Sequence, residues 1–349
     1  ALKAELNKNI SQDYLVSRGE YLTSKLMASY IGYEFVDAKE LLRYSYDGKL
    51  DEAQTEKNVK LAFSKYGKIV VPGFYGAYPN NSIKLLSRGG SDVTGAILAK
   101  CLNVTVYENW TDVSGILAAD PRIVKNPKAI KEITYSELRE LSYMGASVLH
   151  ENSIFPVRIE GIPINIRNTN APEEKGTWIV QSTGQRAKYT ITGIAGKKGF
   201  CAINIQKAMM NAELGFCRKV LTVLEDMGIS FEHMPSGIDT MTIILAEEMI
   251  KGREKTVLSR IRKAVEPDLC ELEHGISLLA VVGRGMRRTR GTAARIFAAL
   301  AHARINVKMI DQGSSELNII IGLLDGDFEE AVRRIYDMFV NSTLTESGE

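Results

Sequence analysis

Paired cysteine is missing from this sequence. Its 349 residues hold four cysteines, Cys101, Cys201, Cys217 and Cys270, and none are spaced as C-x-x-C. Three lie in apolar runs, where a thiol behaves as a small buried hydrophobe. They read as reduced, which excludes a disulfide scaffold and fits a cytoplasmic protein. Histidine is equally scarce. His150, His233, His274 and His302 make no metal-ligand spacing, so no metal site is expected in the protein itself. Neither sign of charge dominates: 44 Lys and Arg face 42 Asp and Glu, a net charge of +2. That balance makes no case for a nucleic-acid or membrane partner. The basic run at 284–290, RGMRRTR, has no interleaved aromatics and reads as a solvated loop. No apolar run approaches the roughly 18 residues of a membrane span. Residues 1–15 lack the basic-then-apolar layout of a signal peptide.

What is present is ordinary globular composition, 45% apolar and 25% charged, enough chain for two or three domains. The first half alternates helical and strand-like segments. GEYLTSKLMASYIG carries apolar residues at helical spacing and ends at Gly32. YEFVDA follows as a short strand, and residues 69–71 form a buried strand stopped by Pro72-Gly73. SDVTGAILAKCLN reads as a helix with Ser91 or Asp92 placed to cap it. VTVYENWTD is a strand, residues 136–161 are one or two helices, and IPINIRN is a strand. Such alternation argues for a mostly parallel α/β sheet between helices.

Beyond the turn at 172–176 the chain repeats itself. Sliding the stretch from Gly215 by 76 positions lays it over the stretch from Gly291 without a gap, and FCAINIQ over ISLLAVV upstream. Each copy reads strand, glycine loop, helix, strand, strand, helix, which implies two small α+β units with antiparallel sheets. GIAGKKG at 193–199 lacks the spacing of a phosphate loop, and GRG at 283–285 is too short for a dinucleotide fingerprint.

The most suggestive stretch is LLSRGGSDVTG, residues 85–95. Paired glycines let backbone N–H groups approach an anion, the helix that follows adds its dipole, and Arg88 offers a bidentate donor. Asp92 could orient a cation or a lysine. VPGFYG, with Gly73 and Gly76, and NWTDVSGILAADPRIV are further loops at strand ends, where open α/β sheets bind ligands.

In this order the motifs resemble the amino-acid kinase fold, and within it the aspartokinase family: SRGGSD at 87–92, TDVSGILAADPR at 111–122, SRGE at 17–20 and MGASVLHE at 144–151. The repeat resembles tandem ACT domains, βαββαβ (ferredoxin-like) modules that bind amino acids. The resemblance implies ATP-dependent phosphorylation of L-aspartate to 4-phospho-L-aspartate, with Mg2+, as the first step toward lysine, threonine and methionine. By motif position, Glu20 would meet the substrate ammonium and Arg88 its carboxylate, with Ser91 and Asp92 lining the same site. Gly73, Gly76, Gly89 and Gly90 would contact phosphates. Thr111, Asp112, Leu117, Asp120, Pro121, Arg122 and Ser147 would surround the nucleotide. Leu117 and Ser147 stand where the family commonly has tyrosine and lysine. The family also opens on a strand and KFGGSS, whose lysine neutralises the transferred phosphate. That motif does not occur here, so these residues are expected to be part of a longer chain and not to phosphorylate aspartate by themselves.

The resemblance further implies an effector site in the first ACT copy, at an interface between subunits of a homodimer or homotetramer. Its candidate contacts are Met210, Gly215, Phe216, Ser230, Phe231, Glu232 and Ser236. Glu232 would pair with the ammonium of L-lysine, the expected inhibitor, whereas the second copy has Lys308 there. L-Threonine is the alternative effector. The implied boundaries are a catalytic domain at 1–183, one ACT domain at 200–274, a second at 190–199 with 275–340, and a tail at 341–349. Another kinase of the same fold and a non-enzymatic amino-acid sensor remain as alternatives.

Overall fold

Ser11 accepts a hydrogen bond from the Tyr14 amide (3.2 Å) and so caps the first helix, α1 (Gln12–Ile31). The helix ends where Gly32 turns left-handed at φ 71°, a conformation open to glycine at no steric cost. The computed structural model describes residues 10–87, 89–146, 149, 151–182 and 189–341. The chain divides into two compact units, one of residues up to Ile116 with Lys131–Ser142 and Ser147–Gly184, the other of Leu117–Ile130, Tyr143–Ala146 and Gln185–Glu349. Against a sequence boundary at residue 183, the segment Leu117–Ile130 thus groups with the second unit.

In the first unit, β1 (Glu34–Phe35) pairs in parallel with β2 (Ile69–Val70). Between them run α2 (Ala38–Leu41) and α3 (Glu52–Tyr66), the latter capped by the Asp51 carboxylate. Next come the antiparallel pair β3 (Tyr75–Ala77) and β4 (Ile83–Leu85), then helix α4 (Gly90–Leu102). A four-stranded sheet in the order β5 (Tyr107–Thr111), β7 (Ile164–Asn168), β8 (Thr177–Val180), β6 (Glu132–Thr134) completes the unit. The β5–β7 and β6–β8 pairs are parallel and β7–β8 antiparallel. Among the described residues of this unit, parallel pairs therefore outnumber antiparallel ones three to two. The region read as one or two helices is two, α5 (Tyr135–Tyr143) and α6 (Glu151–Ile159). Helix α5 starts on a reciprocal capping box: Glu137 Oε2 accepts from the Thr134 amide (2.9 Å), and Thr134 Oγ1 accepts from the Glu137 amide (3.3 Å). Leu41, Leu42, Val59 and Ile97 form a core under α3 and α4.

The second unit is built on two strands of 14 residues, β9 (Gly193–Gln206) and β11 (Leu269–Val282). With β10 (Thr240–Ala246), β12 (Met309–Asp311) and β13 (Asn318–Leu324) they form one antiparallel sheet ordered β10-β9-β11-β13-β12. The repeat is visible in the helices. α7 (Phe216–Asp226) and α10 (Thr292–His302) have 11 residues each and lie 76 positions apart. Gly215 (φ 80°, ψ 13°) precedes the first and Gly291 (φ 79°, ψ 7°) the second, each without a side-chain cap. Four-residue α8 (Glu247–Ile250), α9 (Glu254–Val265) and α11 (Phe328–Tyr336) follow in the two copies. The copies differ in one strand: where β12 stands in the second, the first has isolated bridges, His233 with Ile244 and Ser236 with Met241, instead of the expected strand. Val220, Leu224 and Ile261 pack on Ile203 and Ile243 as the core of the first copy. GIAGKKG forms the first seven residues of β9, so the strand begins ahead of FCAINIQ. Among the described residues no helix is long and apolar enough to cross a membrane.

Candidate active site

The Gly-Gly loop opens a helix, but not through a side-chain cap. Gly89 is the N-cap, left-handed at φ 78°, and Gly90 is the first helical residue. Ser91 and Asp92 therefore lie inside the first turn of α4, which corrects their expected capping role. The reason is steric. A Cβ at Gly90 would stand 2.7 Å from Phe74 Cβ and 2.8 Å from Leu86 Cβ, so the chain must pass close to the preceding loop. A Cβ at Gly73 would likewise stand 2.7 Å from Ser91 Oγ and 2.9 Å from its Cα. The two glycine loops are in van der Waals contact, and Gly73 and Ser91 share one spot.

Phe74 locks this arrangement. It adopts φ 58°, uncommon for a bulky residue. Its amide donates to Thr94 Oγ1 (3.1 Å), which donates in turn to the Gly90 carbonyl (2.9 Å), and its carbonyl accepts from the Leu86 amide (2.8 Å). With its loop fixed on both sides, the N-terminal end of α4 has backbone donors and positive dipole available for an anion. Arg88, the expected carboxylate donor, lies outside the described residues, as does Ser147.

Asp92 is held from β5. Asn109 Nδ2 donates to Asp92 Oδ1 (2.8 Å) and to the Tyr107 hydroxyl (3.2 Å), and that hydroxyl donates to the Asp92 carbonyl (3.3 Å). Burial pushes the Tyr107 hydroxyl up to about 12, so it stays a neutral donor. Neither Asn109 nor Tyr107 was singled out from sequence. The available signal was an amide at a position of β5 that alternation turns inward.

Glu20 sits half-buried on α1, in SRGE. Its neighbour Arg18 is buried and stacks on the rings of Tyr14 and Tyr21, each 4.3 Å from the guanidinium carbon. Arg18 also donates to Ser17 Oγ (3.0 Å), and the Tyr75 hydroxyl donates to buried Asp37 (2.7 Å). This cluster anchors the helix that carries Glu20 to β3. Gly76, in β3, packs closely on Leu42 and Tyr44: a Cβ there would stand 2.6 Å from the Leu42 carbonyl oxygen and 2.7 Å from the Tyr44 ring. Thr111 ends β5 and donates to Asp112 (3.2 Å), which is exposed.

Leu117, Asp120, Pro121 and Arg122 belong to the second unit. Leu117 bridges to Ala129, and Arg122 Nη2 pairs with Asp120 (2.6 Å), which holds that carboxyl below its usual range. Also in the second unit, Met210 and Phe216 are buried beside Gly215, while Ser230, Phe231 and Ser236 are exposed. Glu232 accepts a hydrogen bond from the Tyr143 hydroxyl, and its amide donates to the Ile244 carbonyl (2.8 Å). Lys308 pairs with Glu273 (2.5 Å). Among the described residues no group of three His, Cys, Asp or Glu could hold a metal ion.

Residues 2–168 match the amino acid kinase family, and residues 279–339 match an ACT domain. The chain is 40% identical to Aspartokinase 3 of Bacillus subtilis over 95% of its own length and 75% of that protein's. It is 28% identical to the chloroplastic Aspartokinase 1 of Arabidopsis thaliana, over 95% of its length and 61% of that protein's. The crystal structure of Clostridium acetobutylicum aspartate kinase superposes with a TM-score of 0.90 at 51% identity, covering 94% of this chain and 76% of that one. E. coli aspartokinase III in complex with lysine and aspartate superposes at 0.71 and 25% identity, covering 94% and 75%.

Proposed function

The chain belongs to the aspartokinase family, and we propose that it transfers the γ-phosphoryl group of ATP to the side-chain carboxylate of L-aspartate at the loop of Gly89 and Gly90. The observation that carries this reading is the packing of Gly73 onto Ser91 beside the first turn of α4, with Asp92 held at its edge. Glu20 binds the substrate ammonium, and Arg88 and Ser91 its α-carboxylate. Gly73, Gly89 and Gly90 meet the transferring phosphate. Gly76, Thr111, Asp112, Leu117, Asp120, Pro121, Arg122 and Ser147 serve the nucleotide.

The chemistry asks for no general base. The aspartate side chain has a pKa near ~3.9, so it is already a nucleophilic anion at neutral pH. The obstacle is repulsion between that anion and the triphosphate. Backbone N–H groups and the α4 dipole offset it, and the fixed loop holds the carboxylate in line with the γ-phosphorus. Mg2+ fits as an ion that arrives on the nucleotide. Such an ion asks for one or two carboxylates at most, and Asp92 and Asp112 are those that would hold it. When bound, the ion spreads charge off the phosphate oxygens. Asp92→Ala is expected to lower kcat/KM for aspartate by about 100-fold, while wild-type turnover in that variant would remove Asp92 from the site.

Regulation is proposed through the first ACT copy, residues 200–274, with residues 190–199 and 275–340 as the second. The effector is L-lysine, held by Met210, Gly215, Phe216, Ser230, Phe231, Glu232 and Ser236. The uncapped helix start at Gly215 suits its carboxylate and Glu232 its side-chain ammonium. Leu214, Met209 and Ile238 are exposed beside that helix start, which supports a homodimer or homotetramer through this face. Four free cysteines support a cytoplasmic location, and the product would enter lysine, threonine and methionine synthesis. Glu232→Ala is expected to weaken lysine inhibition at least tenfold. Inhibition by threonine and not lysine would reassign the effector.

A further inference from the structure

A carboxylate in a phosphoryl-transfer site is useful only if it points one way. Asp92 stands on the first turn of α4, with an exposed flank and nothing on its own helix to hold its side chain. The restraint comes from β5. Asn109 is 8% exposed, so its amide hydrogens have no easy recourse to water. The atom facing an ionised carboxylate must be a donor, which fixes the amide with Nδ2 toward Asp92. One hydrogen reaches Asp92 Oδ1 at 2.8 Å and the other the Tyr107 hydroxyl at 3.2 Å. Tyr107 closes the ring by donating to the Asp92 carbonyl at 3.3 Å. Gly95 makes room for it, since a Cβ there would stand 2.6 Å from the Tyr107 oxygen. The side chain and main chain of Asp92 are thus both gripped from one strand, and every hydrogen in the ring is used.

We infer that Asn109 is a positioning residue for phosphoryl transfer, fixing the Asp92 carboxylate through a closed ring with Tyr107. The inference rests on the reading of Asp92 as part of the aspartate site. Its physical content is that Asp92 receives a neutral donor: Asn109 orients the carboxylate without cancelling its charge. A lysine at that place would bind the same oxygen and remove the negative charge that Asp92 brings to the site.

The test compares three variants of the full-length protein with wild type, by steady-state kinetics in L-aspartate and ATP and by thermal unfolding. Asn109→Leu keeps the volume and removes the donor. It is expected to lower kcat/KM for aspartate about 10- to 100-fold, with KM for ATP within about threefold of wild type. Asn109→Asp keeps the shape of the side chain and puts an acceptor where the donor stood, so it is expected to lose at least as much kcat/KM for aspartate as Asn109→Leu. A merely structural role would rank the two the other way, with the closer isostere the more active. If Asn109→Leu does not fold, the kinetics of Asn109→Asp at a wild-type unfolding temperature decide alone, and unchanged kcat/KM for aspartate there overturns the positioning role. The third variant, Asp92→Ala, separates the two claims. A crippled Asp92→Ala beside an Asn109→Leu with wild-type kinetics overturns the positioning role only. Full activity in Asp92→Ala overturns the site reading, and the positioning role with it.

Discussion

At the scale of single residues, the site depends on side chains that are absent. Gly73 and Gly90 let two loops touch, and neither needs a left-handed backbone to do so. Their requirement is for space. Ser91 meets Gly73 through backbone as well as side chain, so the contact cannot be relieved by a rotamer change. Gly73→Ala is expected to cost about 1–3 kcal/mol in stability, and to lower kcat further by shifting Ser91. Thermal unfolding and kcat measured on one preparation check both parts. Glu232 illustrates the opposite case, a charged residue already engaged. Its carboxylate accepts from the Tyr143 hydroxyl, so an incoming ammonium must displace or join that bond.

At the scale of elements, the two copies in the second unit give an internal control. Gly215 and Gly291 hold the same left-handed conformation at the start of matched helices. An alanine in that conformation costs about 1–2 kcal/mol at either place. Gly215→Ala and Gly291→Ala should lower thermal stability alike, whereas only Gly215→Ala should weaken the response to lysine. Equal loss of lysine response in both would contradict an effector site confined to the first copy.

Elements also divide by how well the sequence announces them. The end of α1 at Gly32 was legible because a single glycine does one job there. The repeat was legible because two copies carry the same apolar spacing. Helix α3 was not: only Thr55 and Val59 are buried, so its 15 residues carry little periodic signal. The capping box of α5 was written in the sequence as T-x-x-E and went unread. At α4, Ser91 and Asp92 are good caps by type, but close packing of Gly90 on Phe74 sets where the helix begins. Asn109 could not be recognised as a partner of Asp92, because which strand lies behind α4 is a tertiary fact.

At the scale of the whole molecule, burial sets the alkaline limit of stability. Burial pushes the thiols of Cys101 and Cys201 up to about 11 and about 12, and the hydroxyls of Tyr44 and Tyr107 up to about 12. In each case the fold favours the protonated form. The stability they lend is complete below the ordinary values near 9 and 10, and it is lost as pH rises through 11 to 12. The unfolding temperature is therefore expected to decline above about pH 9. A protein as stable at pH 11 as at pH 8 would contradict this account of the buried thiols and phenols.

The central claim is phosphoryl transfer to the side chain of aspartate. An acyl phosphate reacts with hydroxylamine to give a hydroxamate, so product forms a coloured iron complex only if that bond was made. The measurement is hydroxamate yield from the full-length protein with ATP, Mg2+ and either L-aspartate or L-glutamate. The account predicts a hydroxamate that depends on aspartate and ATP and matches the ADP released, with glutamate at background. Equal yield from glutamate, or ADP release without hydroxamate, would contradict it.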